Sequence, residues 1–148
     1  MVRKATLNDL EPLAFLFNEY RMFYGKQTDA EGAEAFLKTR IENQDSEIFV
    51  YEEFGNLKGF AQLFPLFSSV RMKKYWLMND LFVEEYSRGK GFSKQLIEES
   101  KLVCQKSDAC GILLETDKSN DIGNRLYPSC GFRIYEHANF YEWVNNEA

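Results

Sequence analysis

Asp80-Leu81-Phe82-Val83-Glu84-Glu85-Tyr86-Ser87-Arg88-Gly89-Lys90-Gly91-Phe92-Ser93-Lys94 decides the fold. Its first four residues read as the end of a β-strand, residues 84–91 as a short polar turn, and Phe92 onward as a helix. Gly89 and Gly91 let the backbone come close to a ligand and point successive N–H groups one way. The helix that follows adds unpaired N–H donors and a positive dipole end. Arg88 and Lys90 contribute charge, so the arrangement suits a pyrophosphate. Two familiar phosphate motifs fail on spacing: Lys94 stands where a dinucleotide turn needs its third glycine, and no G-x-x-x-x-G-K-[ST] loop is present.

Upstream, residues 72–83 read as one long strand, with Leu77, Asn79, Leu81 and Val83 on one face and Trp76, Met78, Asp80 and Phe82 on the other. Before it, Glu47–Glu52 and Leu57–Phe67 flank the turn residues Phe54-Gly55-Asn56 and predict a hairpin. The N-terminal part predicts a short strand over Val2–Ala5, a capping box at Thr6 and Asp9, and a helix whose stripe is Leu10, Leu13, Ala14, Phe17 and Tyr20, ended by Gly25. A second helix is expected over Ala30–Asn43. Downstream, the pattern predicts a helix over Phe92–Lys106, a strand over Gly111–Glu115, a short helix over Asp121–Pro128, and closing strands over Phe132–Tyr135 and Phe140–Val144. No linker, repeat or low-complexity segment interrupts this order. The expectation is one α/β (α+β) domain over residues 1–148, in which helices flank a mixed, mostly antiparallel sheet.

Composition narrows the function. The 148 residues suit one domain, and 45% hydrophobic with 16% aromatic residues excludes a disordered polyelectrolyte. Asp plus Glu outnumber Lys plus Arg by 23 to 18 with no basic block, which argues against nucleic acid. The apolar run Leu13–Phe17 is far too short to span a membrane and no signal-peptide core opens the chain, so a cytoplasmic protein without membrane contact is expected. The 3 cysteines contain no C-x-x-C pair, and His137 is the 1 histidine, so neither a disulfide framework nor a two-histidine metal site is expected.

A second stretch, Glu115-Thr116-Asp117-Lys118-Ser119-Asn120-Asp121-Ile122-Gly123-Asn124-Arg125-Leu126-Tyr127-Pro128-Ser129-Cys130-Gly131-Phe132, reads as strand, polar loop and short helix. Together and in this order, the two stretches resemble the GNAT superfamily of acyl-coenzyme A dependent N-acetyltransferases. The family's phosphate motif falls on Arg88, Gly91 and Ser93, with Ser where Gly or Ala is usual. Its later motif falls on Asn120, Gly123, Leu126, Tyr127, Gly131 and Phe132. The segment Leu77–Ser93 is also similar to the diamine acetyltransferases, whose acidic pair is replaced here by Asn79-Asp80.

The resemblance implies a chemistry. Strands splay around the coenzyme arm, which pairs with the backbone of Leu81, Phe82 and Val83, while Arg88, Gly89, Lys90, Gly91, Phe92 and Ser93, with Asn120, bind the rest of acetyl-coenzyme A. Tyr127, beside the cofactor, is the implied general acid for the departing thiolate. The acceptor, a primary amine of a small molecule or peptide, attacks directly, walled by Tyr20, Arg21, Tyr24 and Asn79. Asp80 is either a base working through water or a hydrogen-bond acceptor for nearby backbone. No metal is implied, and a homodimer is compatible with the expected sheet edges. A non-catalytic acyl-coenzyme A sensing domain is the alternative.

Overall fold

The computed structural model describes residues 1–146. The chain divides into two compact units, Met1–Glu115 and Thr116–Ala148.

The first unit holds a five-stranded sheet in the order β1-β2-β3-β4-β5, formed by β1 (Val2–Lys4), β2 (Glu47–Glu53), β3 (Asn56–Ser68), β4 (Lys73–Val83) and β5 (Ile112–Leu113). Neighbours are antiparallel from β1 to β4, and β4 pairs β5 in parallel. Three helices belong to this unit: α1 (Leu10–Phe23), α2 (Ala30–Asn43) and α3 (Phe92–Lys106). All three follow the apolar spacing of the sequence. Among the described residues no helix is long and apolar enough to cross a membrane.

The two sheet faces carry different partners. Leu13, Ala14, Leu16 and Phe17 of α1 and Ala33 and Leu37 of α2 cluster with Ile48, Val50, Phe60 and Phe82. Leu13, Leu37, Val50 and Phe60 are fully buried, each worth about 1.5–3 kcal/mol of transfer from water. On the opposite face α3 buries Leu96 and Ile97 completely. Its first residue, Phe92, stacks on Tyr51 of β2 at 3.8 Å between ring centroids. Near its C-terminal end, Ser107 accepts a 2.9 Å bond from the Trp76 indole. Both ends of α3 are thereby fixed to the sheet.

The strand alternation expected for residues 76–82 is corrected. The β3–β4 register passes from Leu63↔Met78 to Gln62↔Asp80, so Asn79 is an extra residue bulged out of β4. A bulge reverses the facing of every residue beyond it. Trp76 and Met78 therefore share a face with Leu81 and Val83, while Asp80 and Phe82 turn to the side of α1 and α2.

The second unit is built on α4 (Asp121–Ser129). The closing strands expected over Phe132–Tyr135 and Phe140–Val144 are not formed: residues 132–146 take no regular structure. Their alternating apolar residues stay exposed, with Ile134 81% and Trp143 82% accessible. Strand propensity records how well a side chain fits a paired, half-buried surface, and among the described residues this segment has no pairing partner.

Candidate active site

The glycine turn is shaped by its neighbours. A 3₁₀ turn over Glu85–Ser87 leads out of β4. The Glu84 carboxylate accepts 2.7 Å and 3.0 Å bonds from the Ser87 hydroxyl and Lys58 ammonium. Partial burial works against this charge, but the two donors prevail and hold the carboxyl below its ordinary range. Arg88 is drawn back along the strand, its Nε donating to the Val83 carbonyl at 2.9 Å and its guanidinium lying 5.4 Å from the Phe82 ring centre and 5.7 Å from that of Phe23. Gly89 and Gly91 have φ of 78° and 83°, a region closed to most side chains. A Cβ at either would meet nothing within 4 Å. The turn therefore borders open space, and the early N–H groups of α3 follow directly from Gly91. Lys90 reaches back to within 5.9 Å of the Phe92 ring centre. The side chain of Phe92 is buried and that of Ser93 half-buried, whereas Arg88 and Lys90 are exposed.

Beside the turn, β4 loses its parallel neighbour. Pairing with β5 covers Trp76↔Ile112 and Leu77↔Leu113, and among the described residues no ladder continues beyond it. Among the described residues no strand pairs with Met78–Val83 on the edge away from β3, and the Val83 carbonyl accepts from Arg88 Nε. Leu81, Phe82 and Val83, the residues expected to meet a coenzyme arm, lie on this length.

On the α1 side the bulge is tied into a polar network. Asp80 is 2% exposed and Gln62 wholly buried. The Gln62 Nε2 donates to Asp80 Oδ2, the Asn79 Nδ2 donates to Asp80 Oδ1 at 2.8 Å, and the Ser46 hydroxyl donates to Gln62 Oε1 at 2.8 Å. Burial pushes the Asp80 carboxyl above its ordinary value, opposed by hydrogen bonds from Gln62, Asn79 and Tyr20. Asn79 itself is exposed, and its backbone carbonyl accepts the Tyr20 hydroxyl at 3.0 Å. Tyr20 packs edge-on against Tyr24 and Phe82, with centroids 5.1 Å and 6.0 Å apart. Arg21 turns to the Gln27 carbonyl at 3.4 Å and braces the loop after α1.

In the second unit, both ends of the Asn120 side chain serve α4: Oδ1 accepts from the Gly123 N–H at 3.0 Å and Nδ2 donates to Thr116 at 2.9 Å. A Cβ at Gly123 would sit 2.6 Å from Asn120 Nδ2, which explains a small residue three positions after the cap. Tyr127 is half-buried and packs edge-on against Phe132, whose N–H bonds the Tyr127 carbonyl at 3.0 Å.

Within the first unit the structure thus brings Tyr20, Asn79 and Asp80 together and sets Arg88 through Ser93 between the end of β4 and the start of α3. Sequence reasoning missed Gln62, Ser46, Phe23 and the Lys58–Glu84–Ser87 brace. Gln62 left a signal: it is the one polar side chain inside the otherwise apolar run of residues 59–67. Among the described residues no group of three or more His, Cys, Asp or Glu could hold a metal ion.

Residues 13–132 match the model of the acetyltransferase (GNAT) family. The chain is 42% identical to the uncharacterized N-acetyltransferase YhfO of Bacillus subtilis (strain 168) over 131 residues, 88% of each protein. It is 35% identical over 99 residues to a "probable acetyltransferase" of Haemophilus influenzae, covering 66% of this chain and 68% of that one. A solved structure described as a probable acetyltransferase superposes with a TM-score of 0.95 at 31% identity, covering 100% of this chain and 99% of the other.

Proposed function

The chain belongs to the GNAT acetyltransferase family, and from that premise we propose that it transfers an acetyl group from acetyl-coenzyme A to a primary amine of a small molecule or peptide. One observation carries this reading: the Gly89–Gly91 turn opens α3 beside the length of β4 that has lost its parallel neighbour. A diphosphate fits the turn, and a linear amide chain fits the strand edge.

The residues present suit that cosubstrate. Backbone N–H groups from Gly89 to Ser93 hold the diphosphate, with Lys90 adding charge. Arg88, tied to Val83, fixes the path of the turn. The edge of Leu81–Val83 supplies peptide groups to the pantetheine arm, and the N–H near Leu81 polarises the thioester carbonyl as charge gathers on its oxygen. When bound, the coenzyme supplies an acetyl group already activated as a thioester. Tyr127 is the general acid for the sulfur. An ordinary phenol, near pKa 10, gives its proton to a thiolate near 8.5 against a gradient of about 2 kcal/mol, which collapse of the charged adduct covers. Asn120 and Gly123 hold α4, and so the backbone that carries Tyr127. Tyr20, Tyr24 and Asn79 wall the acceptor. The family match, residues 13–132, runs through the boundary between the two units and supports reading 1–148 as one acetyltransferase domain.

Calorimetric titration with coenzyme A, followed by mass analysis of polyamines, amino acids, aminoglycosides and peptide N-termini incubated with acetyl-coenzyme A, tests the proposal. Binding with an acceptor gaining one acetyl group supports it. Binding without turnover points to a sensing domain, and no coenzyme affinity removes both readings.

A further inference from the structure

Asp80 Oδ1 is met by a hydrogen-bond donor on the neighbouring residue of its own strand. That donor is Asn79 Nδ2, at 2.8 Å. The bond fixes which end of the Asn79 carboxamide is left over: Oδ1, a pure acceptor, on an exposed side chain at the bulge. The orientation is secured from behind, because Ser46 holds Gln62 and Gln62 donates to Asp80 Oδ2. The groups that meet Asp80 are Gln62 from β3, Asn79 from its own strand and Tyr20 from α1, the last the one titratable side chain among them.

A general base must reach the proton it takes, directly or through one water. Asp80 is 2% exposed and both its oxygens are engaged. Asn79, the exposed member, carries no basic group. Resting on the acetyl-transfer reading above, we infer that Asn79 is the residue that meets the acceptor nitrogen through its outward carboxamide oxygen, that Asp80 is a positioning residue which sets this orientation, and that the acceptor is an amine of low pKa, of the α-amino class, which reaches the site already neutral.

The consequence is quantitative. At pH 7 an alkylamine of pKa near 10.4 is about one part in 2,500 neutral, whereas an α-amino group near 7.8 is about one part in seven. A site that leaves deprotonation to solution therefore favours the second class by about 350-fold in available nucleophile. By pH 9.5 the advantage falls to about ninefold.

The experiment compares alaninamide with n-butylamine as acceptors at saturating acetyl-coenzyme A, from pH 7 to 9.5. The ratio of their kcat/KM values is expected to fall by about fortyfold across that range, each limb following the acceptor's own pKa. Asn79→Leu is expected to raise acceptor KM at least fivefold with coenzyme affinity unchanged. Asp80→Asn, checked for a native melting curve, is expected to raise acceptor KM while kcat holds within about threefold. A base would instead lose kcat by about a hundredfold or more. A limb common to both acceptors that disappears in Asp80→Asn overturns the inference, as does an acceptor KM untouched by Asn79→Leu. Should Asp80→Asn not fold, the wild-type ratio still decides. Coenzyme binding without acetylation of either amine overturns the inference alone, whereas absence of coenzyme binding removes the underlying function as well.

Discussion

The Tyr20 hydroxyl of α1 donates to the backbone carbonyl of Asn79 at 3.0 Å, at the residue where the β3–β4 register slips. Helix α1 is thus bonded to the irregularity that shapes the strand. Tyr20→Phe keeps the ring contacts with Tyr24, Phe60 and Phe82 and removes the bond. We expect a stability loss of about 1 kcal/mol in urea titration. Acceptor kcat/KM should fall by about three- to tenfold at unchanged coenzyme affinity. An unaltered kcat/KM would show that the bond serves folding alone.

Gly91 and Gly123 are required for different reasons, and alanine substitutions separate them. At Gly91 the space is open but φ is +83°, so Gly91→Ala distorts the turn at a cost of about 1–2 kcal/mol. Coenzyme affinity should drop at least tenfold by calorimetry. At Gly123 the added Cβ instead displaces the Asn120 cap. Losing that cap costs about 1 kcal/mol and loosens the start of α4. Gly123→Ala should therefore lower the melting temperature and kcat more than it lowers coenzyme affinity.

The helices, the hairpin and the glycine turn were legible because their signals are local. Apolar periodicity marks α1, α2 and α3, and two-residue turn chemistry marks the β2–β3 connection at Phe54 and Gly55, both at positive φ. What was not legible depends on partners distant in sequence. The bulge at Asn79 is a relation between β3 and β4, and nothing in residues 72–83 alone announces it. The facing of Asp80 toward Gln62 follows from that slip. Residues 132–144 carry the composition of strands, but a strand exists only with a neighbour. The roles of Tyr20 and Asn79 as one side of the site were implied by family likeness, whereas the network that joins them is made of contacts between α1, β3 and β4, far apart in sequence.

Arg3 and Asp9 form a pH-sensitive ion pair in the first unit. Arg3 forms two parallel 2.8 Å bonds to the Asp9 carboxylate and a third to Glu52 at 3.1 Å. The paired guanidinium, with the Thr6 N–H, holds the Asp9 carboxyl below its ordinary value despite partial burial. A carboxyl whose folded pKa lies below its unfolded one lends stability that is fully present above the unfolded value, near 3.9, and is lost as pH falls through the folded one. Asp9→Asn should destabilise by about 2 kcal/mol at pH 7, given the partly exposed Arg3, and by little below pH 2. Asp80 acts with the opposite sign: its raised pKa makes the ionised form a cost that appears as pH rises above the unfolded value. Melting curves of the wild type and both single Asn variants from pH 2 to 8 resolve the two. A pH-independent effect of Asp9→Asn would contradict the first assignment.

Tyr127 offers the sharpest test of the proposed chemistry, because its hydroxyl and its ring have separable roles. The ring packs against Phe132 at 5.9 Å and its backbone carbonyl accepts the Phe132 N–H, so α4 keeps these contacts in Tyr127→Phe. A general acid contributes about 10²–10⁴ to the rate when it protonates a poor leaving group. The coenzyme thiolate, near pKa 8.5, is a moderate one, so a kcat loss of at least tenfold is expected, with calorimetric affinity for coenzyme A preserved. The loss should shrink if the natural thioester is replaced by an acetyl donor with a more acidic thiol, because such a leaving group needs less help. A kcat within about threefold of wild type removes the proton-donor role and leaves Tyr127 as an aromatic packing against Phe132.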